Sequence, residues 1–237
     1  MFQGKKLICF DLDGTLIDSV GIWNQVDATL IQQLSNIEMD LNVIQQQRDL
    51  QLKIFRQSAD PYLEYCVYLN ELYGFDLGKE EVKNRRYTIS RHFLDHVVEF
   101  KPQAELLIQA LKQQGIQLAL TTTTSVYNIQ RYQDNNQNIN QKISFNDDFD
   151  IMLTRENVEN IKPHPEMYLK ALPHFDVQAK DCLIIEDSLI GVGSRQQCRG
   201  IDVVAIYDQY SVHEIEEIKA KADYFVEDFA ALLSFIK

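Results

Sequence analysis

The chain has 237 residues, 45% of them hydrophobic, and is long enough for one large domain or for a domain that carries a smaller second one. Its 35 acidic and 23 basic residues give a formal net charge of −12, which disfavours binding to nucleic acid or to an anionic membrane. No apolar run approaches the roughly 20 residues that cross a bilayer. The four cysteines form no C-x-x-C pair, so we expect reduced thiols in a cytoplasmic protein. Separately, we expect the protein to be a monomer.

A short apolar run, LICF at residues 7–10, is followed directly by Asp11 and Asp13. A run of this length predicts a buried strand, and Gly14 marks the turn that ends it. Two carboxylates at the carboxyl end of a buried strand repel each other unless a cation separates them. The pair therefore predicts a site for a divalent cation that prefers oxygen ligands, for which we expect Mg²⁺.

Residues 18–97 contain almost no strand signal and predict four helices. The first helix is predicted to begin at Asp18-Ser19, residue types that commonly cap helices, and it carries apolar residues four apart. The other three are predicted at 41–55, 61–74 and 79–98. Helices of this length form a small bundle of their own. We therefore predict that residues 18–97 form an inserted helical cap domain that acts as a lid.

Helices and strands alternate from Lys101 onward. Apolar runs predict strands at 116–121, 150–154, 182–185 and 202–206. Helical patterns separate them near residues 125–134, 164–172 and 188–199, and the polar stretch 133–141 is predicted to be a solvated loop. This alternation predicts an α/β fold, a Rossmann-like parallel sheet with helices on both faces. Residues 1–17 and 98–237 would form this core domain.

Each later strand end supplies another reactive group. The second strand ends in the threonine run 121–124, Lys162 precedes a helix, and the fourth strand ends in Glu186 and Asp187. In a parallel sheet the carboxyl ends share one edge, which brings hydroxyl groups, a lysine and two acid pairs together. This set matches phosphoryl transfer through an aspartyl phosphate, in which a cation offsets negative charge and fixed donors bind the phosphoryl oxygens.

The order of these groups resembles the motifs of the haloacid dehalogenase superfamily of phosphohydrolases. The matching segments are DLDGTL at 11–16, the strand that ends at Thr122, Lys162 in KPHPEMY, and EDSLIGV at 186–192. The resemblance covers nearly the whole chain. It is to the branch with a helical cap after the first motif, which includes phosphoglycolate phosphatases and β-phosphoglucomutases.

The resemblance implies a chemical role for each carboxylate. Asp11 would attack phosphorus and become phosphorylated, and Asp13 would act as general acid and then general base. Mg²⁺ would be held by Asp11, the main-chain carbonyl of Asp13, and Asp187. Glu186 would contact the cation directly or through water.

The resemblance also implies a phosphate-binding set. Thr122, the amide of Thr123 and Lys162 would bind the phosphate oxygens. Together with the carboxylates, these groups predict a Mg²⁺-dependent phosphatase that hydrolyses a small phosphorylated metabolite.

Three other functions share part of this pattern. A phosphomutase of the β-phosphoglucomutase type has the same core residues, but that pattern has a histidine where this chain has Trp23, a residue we expect to pack inside the bundle. A phosphonatase would need a lid lysine, and Lys53, Lys79 and Lys83 are available. A non-catalytic phosphoryl-signalling module would carry its phosphorylated aspartate on a later strand than the one that precedes Asp11.

Overall fold

A computed structural model describes residues 1–55, 57–194, 198 and 200–236. The chain divides into two compact units, one formed by Met1–Val20 and Val98–Lys237 and the other by Gly21–Val97. The helices are α1 (Ile22–Ser35), α2 (Leu41–Phe55), α3 (Pro61–Tyr73), α4 (Lys79–His96), α5 (Ala104–Gln113), α6 (Val126–Asn135), α7 (Gln137–Asn140), α8 (Phe145–Asp148), α9 (Glu166–His174), α10 (Leu189–Ser194), α11 (Ile215–Lys221) and α12 (Phe229–Leu233). Among the described residues, none of these helices is both long and apolar enough to cross a membrane.

The first unit contains a parallel sheet. Its strands in the described part of the chain are β1 (Leu7–Phe10), β2 (Gln117–Thr121), β3 (Ile151–Leu153), β4 (Cys182–Glu186), β5 (Asp202–Ile206) and β6 (Tyr224–Val226). They lie in the order β3-β2-β1-β4-β5-β6, and every neighbouring pair is parallel. The predicted α/β fold with a parallel sheet is confirmed.

The central strands β1 and β4 are mostly apolar because they are covered on both faces. Every residue of β1 and of β4 is buried. On one face, Leu7 and Cys9 belong to a core cluster that includes Met167 of α9 and Ile218 of α11. Continuous apolar runs are typical of strands in buried parallel sheets. This packing holds the carboxyl ends of β2, β1 and β4 side by side.

The polar stretch 133–141 is mostly helical, so the prediction of a solvated loop is wrong. It forms the end of α6 and all of α7. Between them Asn136 is fully buried, where its side chain accepts a hydrogen bond from the backbone N–H of Asn138 (2.9 Å) and donates one to the Val98 carbonyl (2.9 Å). Short amide side chains can take over backbone hydrogen bonds in this way, and composition alone does not reveal it.

One predicted helix start also differs from the structure. The predicted cap at Asp18-Ser19 is wrong, because α1 begins at Ile22 after Gly21, with no hydrogen bond from a capping side chain. The predicted helix at 188–199 is present as α10, and residues 195–197 and 199 of that segment lie outside the described residues.

The segments that flank the helical unit pair with each other inside the first unit. The backbone N–H of Asp18 donates to the Glu99 carbonyl (2.9 Å), and that of Lys101 donates to the Leu16 carbonyl (2.8 Å). The chain therefore leaves and re-enters the first unit through adjacent, hydrogen-bonded segments.

The second unit is a bundle of α1, α2, α3 and α4. Its interior contains a buried ion pair, with Arg86 Nε 2.6 Å from Asp27 Oδ1, and the Tyr65 hydroxyl donates to the same carboxylate (3.1 Å). The guanidinium of Arg86 also lies over the ring of Trp23, 4.7 Å from its centroid. The half-buried indole thus packs against a buried charged group of the bundle.

Candidate active site

Three buried carboxylates meet at the carboxyl ends of β1 and β4. Asp11 follows β1, Glu186 ends β4 and Asp187 comes next, and one oxygen from each lies within 4.8 Å of the others. The parallel pairing of β1 with β4 causes this meeting, because the Asp11 N–H donates to the Ile185 carbonyl (3.0 Å) and continues the ladder. The sheet therefore holds Asp11 beside Glu186 and Asp187.

Lys162 lies between two of these carboxylates. Its ammonium nitrogen is 2.5 Å from Asp11 Oδ1 and 2.5 Å from Glu186 Oε1, and its side chain is buried. Burial lowers the pKa of Lys162, but attraction to Asp11 and Glu186 outweighs that effect and leaves its pKa well above the usual value. The lysine is therefore charged and neutralises one of the three carboxylates.

Asp11 and Asp187 both have raised pKa values, mainly because they are buried. Burial raises the pKa of Asp11 to about 8, against the attraction of Lys162 and with the help of repulsion from Glu186. Burial, together with repulsion from Glu186 and Asp11, also raises the pKa of Asp187, and a hydrogen bond from Thr15 opposes that rise. Full ionisation of the cluster requires more positive charge than Lys162 provides, and a divalent cation would supply it.

Two glycines let the carboxylates lie against the backbone. A Cβ at Gly14, where φ is +85°, would lie 2.3 Å from Asp187 Oδ2, and a Cβ at Gly191 would lie 1.9 Å from the Glu186 carboxyl carbon. The atoms available to bind a metal ion are carboxylate oxygens of Asp11, Glu186 and Asp187. Such hard ligands suit Mg²⁺ or Ca²⁺ better than softer metals. The residues present therefore fit the expected divalent cation.

Substituting Gly191 is expected to displace Glu186. Gly191→Ala would place a methyl group inside the carboxylate, so we expect a loss of about 1–3 kcal/mol in the free energy of unfolding, as for other overpacked sites, and a fall in activity. Gly193→Ala is the matched control in the same helix, because nothing lies within 4 Å of its Cβ position. Urea unfolding of both variants measures the difference, and equal stabilities would contradict the expected overlap.

Both oxygens of Glu186 are already occupied by protein donors. Oε1 accepts from Lys162 and, at 3.4 Å, from the Tyr168 hydroxyl. Oε2 accepts from the Asp187 N–H (3.1 Å) and the Ser188 hydroxyl (3.2 Å). Tyr168 and Ser188 were not predicted as site residues, although both lie inside the motifs KPHPEMY and EDSLIGV. The position of each in its motif was the available signal.

The side chain of Asp13 lies outside the three-carboxylate cluster. Its Oδ1 accepts a hydrogen bond from the Ser19 hydroxyl (2.6 Å), and its Oδ2 accepts one from the Thr124 hydroxyl. Ser19 was predicted as a helix cap, and Thr124 was one of four successive threonines without a distinguishing pattern. Neither hydrogen bond was predicted from the sequence.

The four threonines at the end of β2, residues 121–124, differ in environment. The Thr121 hydroxyl donates to the Phe10 carbonyl (3.2 Å), which adds a side-chain hydrogen bond between β2 and β1. Thr122 is buried and its hydroxyl accepts the Thr124 N–H (3.0 Å), whereas Thr123 is exposed. The structure thus places Thr122 and Thr123 directly after the strand that neighbours β1.

Comparison with family models identifies the class of protein that has this fold and this cluster. Residues 8–206 match the model of the haloacid dehalogenase-like hydrolases. The chain belongs to this family, and the resemblance seen in its motifs is confirmed.

Two relatives and one solved structure are similar to this chain over nearly its whole length. A phosphoglycolate phosphatase from Pasteurella multocida is 25% identical, over 98% of this chain and 98% of its own. The pyrophosphatase PpaX from Bacillus mycoides is 25% identical, over 97% of this chain and 95% of its own. The crystal structure of CbbY from Rhodobacter sphaeroides in complex with phosphate has a TM-score of 0.69 at 23% identity, over 96% of both chains. This last likeness shows a shared fold.

Proposed function

We propose that the protein is a Mg²⁺-dependent phosphatase that hydrolyses a small phosphorylated metabolite through an aspartyl phosphate on Asp11. The observation that carries this proposal is the buried cluster in which Lys162 bridges Asp11 and Glu186 beside Asp187. The phosphatases among its relatives support the same reaction class. A carboxylate is a known nucleophile in phosphoryl transfer.

The cation site would use three of the described residues. Asp11, Asp187 and the main-chain carbonyl of Asp13 would bind Mg²⁺ directly. Glu186 would act through water, because its two oxygens already accept hydrogen bonds from protein donors. When bound, Mg²⁺ would reduce the repulsion between the nucleophilic carboxylate and the phosphate group.

The side chains of this unit would then divide the reaction into two steps. An oxygen of Asp11 bonds to phosphorus while the bond from phosphorus to the leaving oxygen breaks, and Asp13 gives its proton to that oxygen. Water next gives a proton to Asp13 and attacks phosphorus, which breaks the bond to Asp11 and releases inorganic phosphate. Lys162, Thr122 and the amide of Thr123 would bind the phosphoryl oxygens throughout.

We propose a substrate that is small and carries a second negative group. Phosphoglycolate and pyrophosphate, the compounds in the names of the two full-length relatives, share this property. A panel of phosphorylated carboxylates, sugar monophosphates and pyrophosphate, assayed for phosphate release, would identify the preferred compound. Analysis of the sugar phosphates for isomerised product would also detect a mutase.

The proposed compartment is the cytoplasm, and a monomer remains our prediction. All four cysteines are free and buried, which supports a reducing environment. The proposed partner is the metabolite alone.

Trapping the intermediate tests the proposed reaction. With p-nitrophenyl phosphate as the probe, we expect turnover in Mg²⁺, loss of turnover in EDTA and recovery when Mg²⁺ is restored. Quenching a reacting sample with sodium borohydride reduces an aspartyl phosphate to homoserine, and peptide mass spectrometry should locate that change at Asp11. Full turnover in EDTA, or reduction at another residue, would contradict the proposal.

A further inference from the structure

The proposed acid and base, Asp13, is held on both oxygens by neutral hydroxyl groups. Ser19 donates to Oδ1 at 2.6 Å, and Thr124 donates to Oδ2. The carboxylate is partly exposed, in contrast to Asp11, which is buried in the ionic cluster. Two hydroxyls, rather than a lysine, therefore set the orientation of Asp13 in this structure.

Thr124 is itself held by the predicted phosphate site. Its backbone N–H donates to the hydroxyl of Thr122 (3.0 Å), which is buried at the end of β2. The next residue, Ser125, caps α6 by accepting the Asn128 N–H (3.2 Å). These contacts restrain the backbone of Thr124 on both sides. Its hydroxyl therefore links the position of Asp13 to the position of the phosphate-binding strand end.

A hydroxyl suits a carboxyl group that alternates between two protonation states. An ammonium group or a backbone N–H can only donate, so it favours the ionised carboxylate alone. A threonine hydroxyl can donate to the carboxylate and, after rotation, accept from the protonated acid. We propose that Thr124 is a positioning residue that orients Asp13 both when it donates a proton to the leaving oxygen and when it takes one from water. This inference rests on the proposed phosphatase function.

The requirement for an oriented acid depends on the leaving group. As the bond between phosphorus and the leaving oxygen breaks, the electron pair goes to that oxygen and the proton of Asp13 follows it. A weakly basic phenolate leaves without this proton, whereas a strongly basic one needs it. Loss of the Thr124 hydroxyl should therefore slow the reaction more as the leaving group becomes more basic.

The experiment compares Thr124→Val, which keeps the shape and removes the hydroxyl, with Thr124→Ser, which keeps the hydroxyl. Values of kcat/KM are measured in Mg²⁺ for 2,4-dinitrophenyl, p-nitrophenyl and phenyl phosphate, whose leaving groups increase in basicity in that order. General acid catalysis contributes about 10²–10⁴-fold, so we expect Thr124→Val to lose roughly 30-fold or more on phenyl phosphate and less than about 3-fold on 2,4-dinitrophenyl phosphate. Thr124→Ser should retain the wild-type dependence on the leaving group.

The outcomes separate this inference from the proposed function. Equal losses of Thr124→Val on all three esters, or equal losses in the serine and valine variants, would overturn the positioning role even if borohydride locates the phosphoryl group on Asp11. Failure to find that group on Asp11 would instead overturn the proposed function. Thermal unfolding of both variants shows whether either one has lost its fold, and a destabilised valine variant is then assayed well below its Tm.

Discussion

Asp11→Asn is expected to reduce hydrolysis of p-nitrophenyl phosphate by a factor of about 10⁴ or more, because removal of a nucleophile commonly has effects of that size. The amide keeps the shape of the carboxylate but does not form an acyl phosphate. Its neutral side chain also lowers the negative charge beside Glu186 and Asp187, so the variant should remain folded. Steady-state release of p-nitrophenolate in Mg²⁺ measures the loss.

Asp18→Asn is the matched control for that variant. Asp18 is an exposed aspartate in the same loop, and the same chemical change there should leave activity within about twofold of wild type, as for other surface substitutions. Intact mass spectrometry of the Asp11→Asn sample detects any asparagine that has reverted to aspartate. Turnover near the wild-type rate in a sample without such reversion would exclude Asp11 as the nucleophile.

Lys162→Met is expected to reduce both stability and activity. The lysine side chain is buried between Asp11 and Glu186, so its removal leaves two buried carboxylates without their ammonium partner. Breaking a buried ion pair in this way costs about 3–5 kcal/mol. Loss of a cationic phosphate ligand should also lower kcat/KM by about 10²–10³-fold. Urea unfolding in EDTA and phosphatase assays in Mg²⁺ measure the two effects.

The double variant Lys162→Met with Glu186→Gln separates these effects. Neutralising Glu186 removes one of the uncompensated charges, so we expect stability to recover in part while activity stays low. Recovery of activity together with stability would show that Lys162 acts only by supporting the fold. Unchanged stability in the single variant would contradict the strong coupling implied by its two 2.5 Å contacts.

The sheet and the acidic cluster could be predicted from the sequence because they depend on strong, local patterns. Strands β1 and β5 were predicted with the bounds that the structure shows, since continuous apolar runs between polar turns have few alternative conformations. Parallel pairing then requires the residues after β1 and β4 to meet. Asp11, Glu186 and Asp187 therefore lie together as that topology demands.

The hydroxyl and amide contacts could not be predicted in the same way. Ser19 has a suitable residue type for a helix cap, but in the fold its hydroxyl bonds to Asp13. Asn136 lies in a stretch with the composition of a loop, but tertiary contacts bury it as the link between two helices. A short polar side chain can form hydrogen bonds of similar energy with local or with distant groups. Which of these bonds forms therefore depends on the folded structure.

The pairing of the segments on either side of the helical unit affects how freely the insertion can vary in length. The backbone of Leu16 is hydrogen-bonded to Lys101, and that of Asp18 to Glu99. The inserted segment therefore begins and ends at neighbouring points. The entropy of closing such an insertion grows only with the logarithm of its length, so a longer or shorter replacement would add little to the cost of folding. The inserted bundle can therefore change in length at little entropic cost, while the strand ends that carry Asp11, Glu186 and Asp187 stay in place.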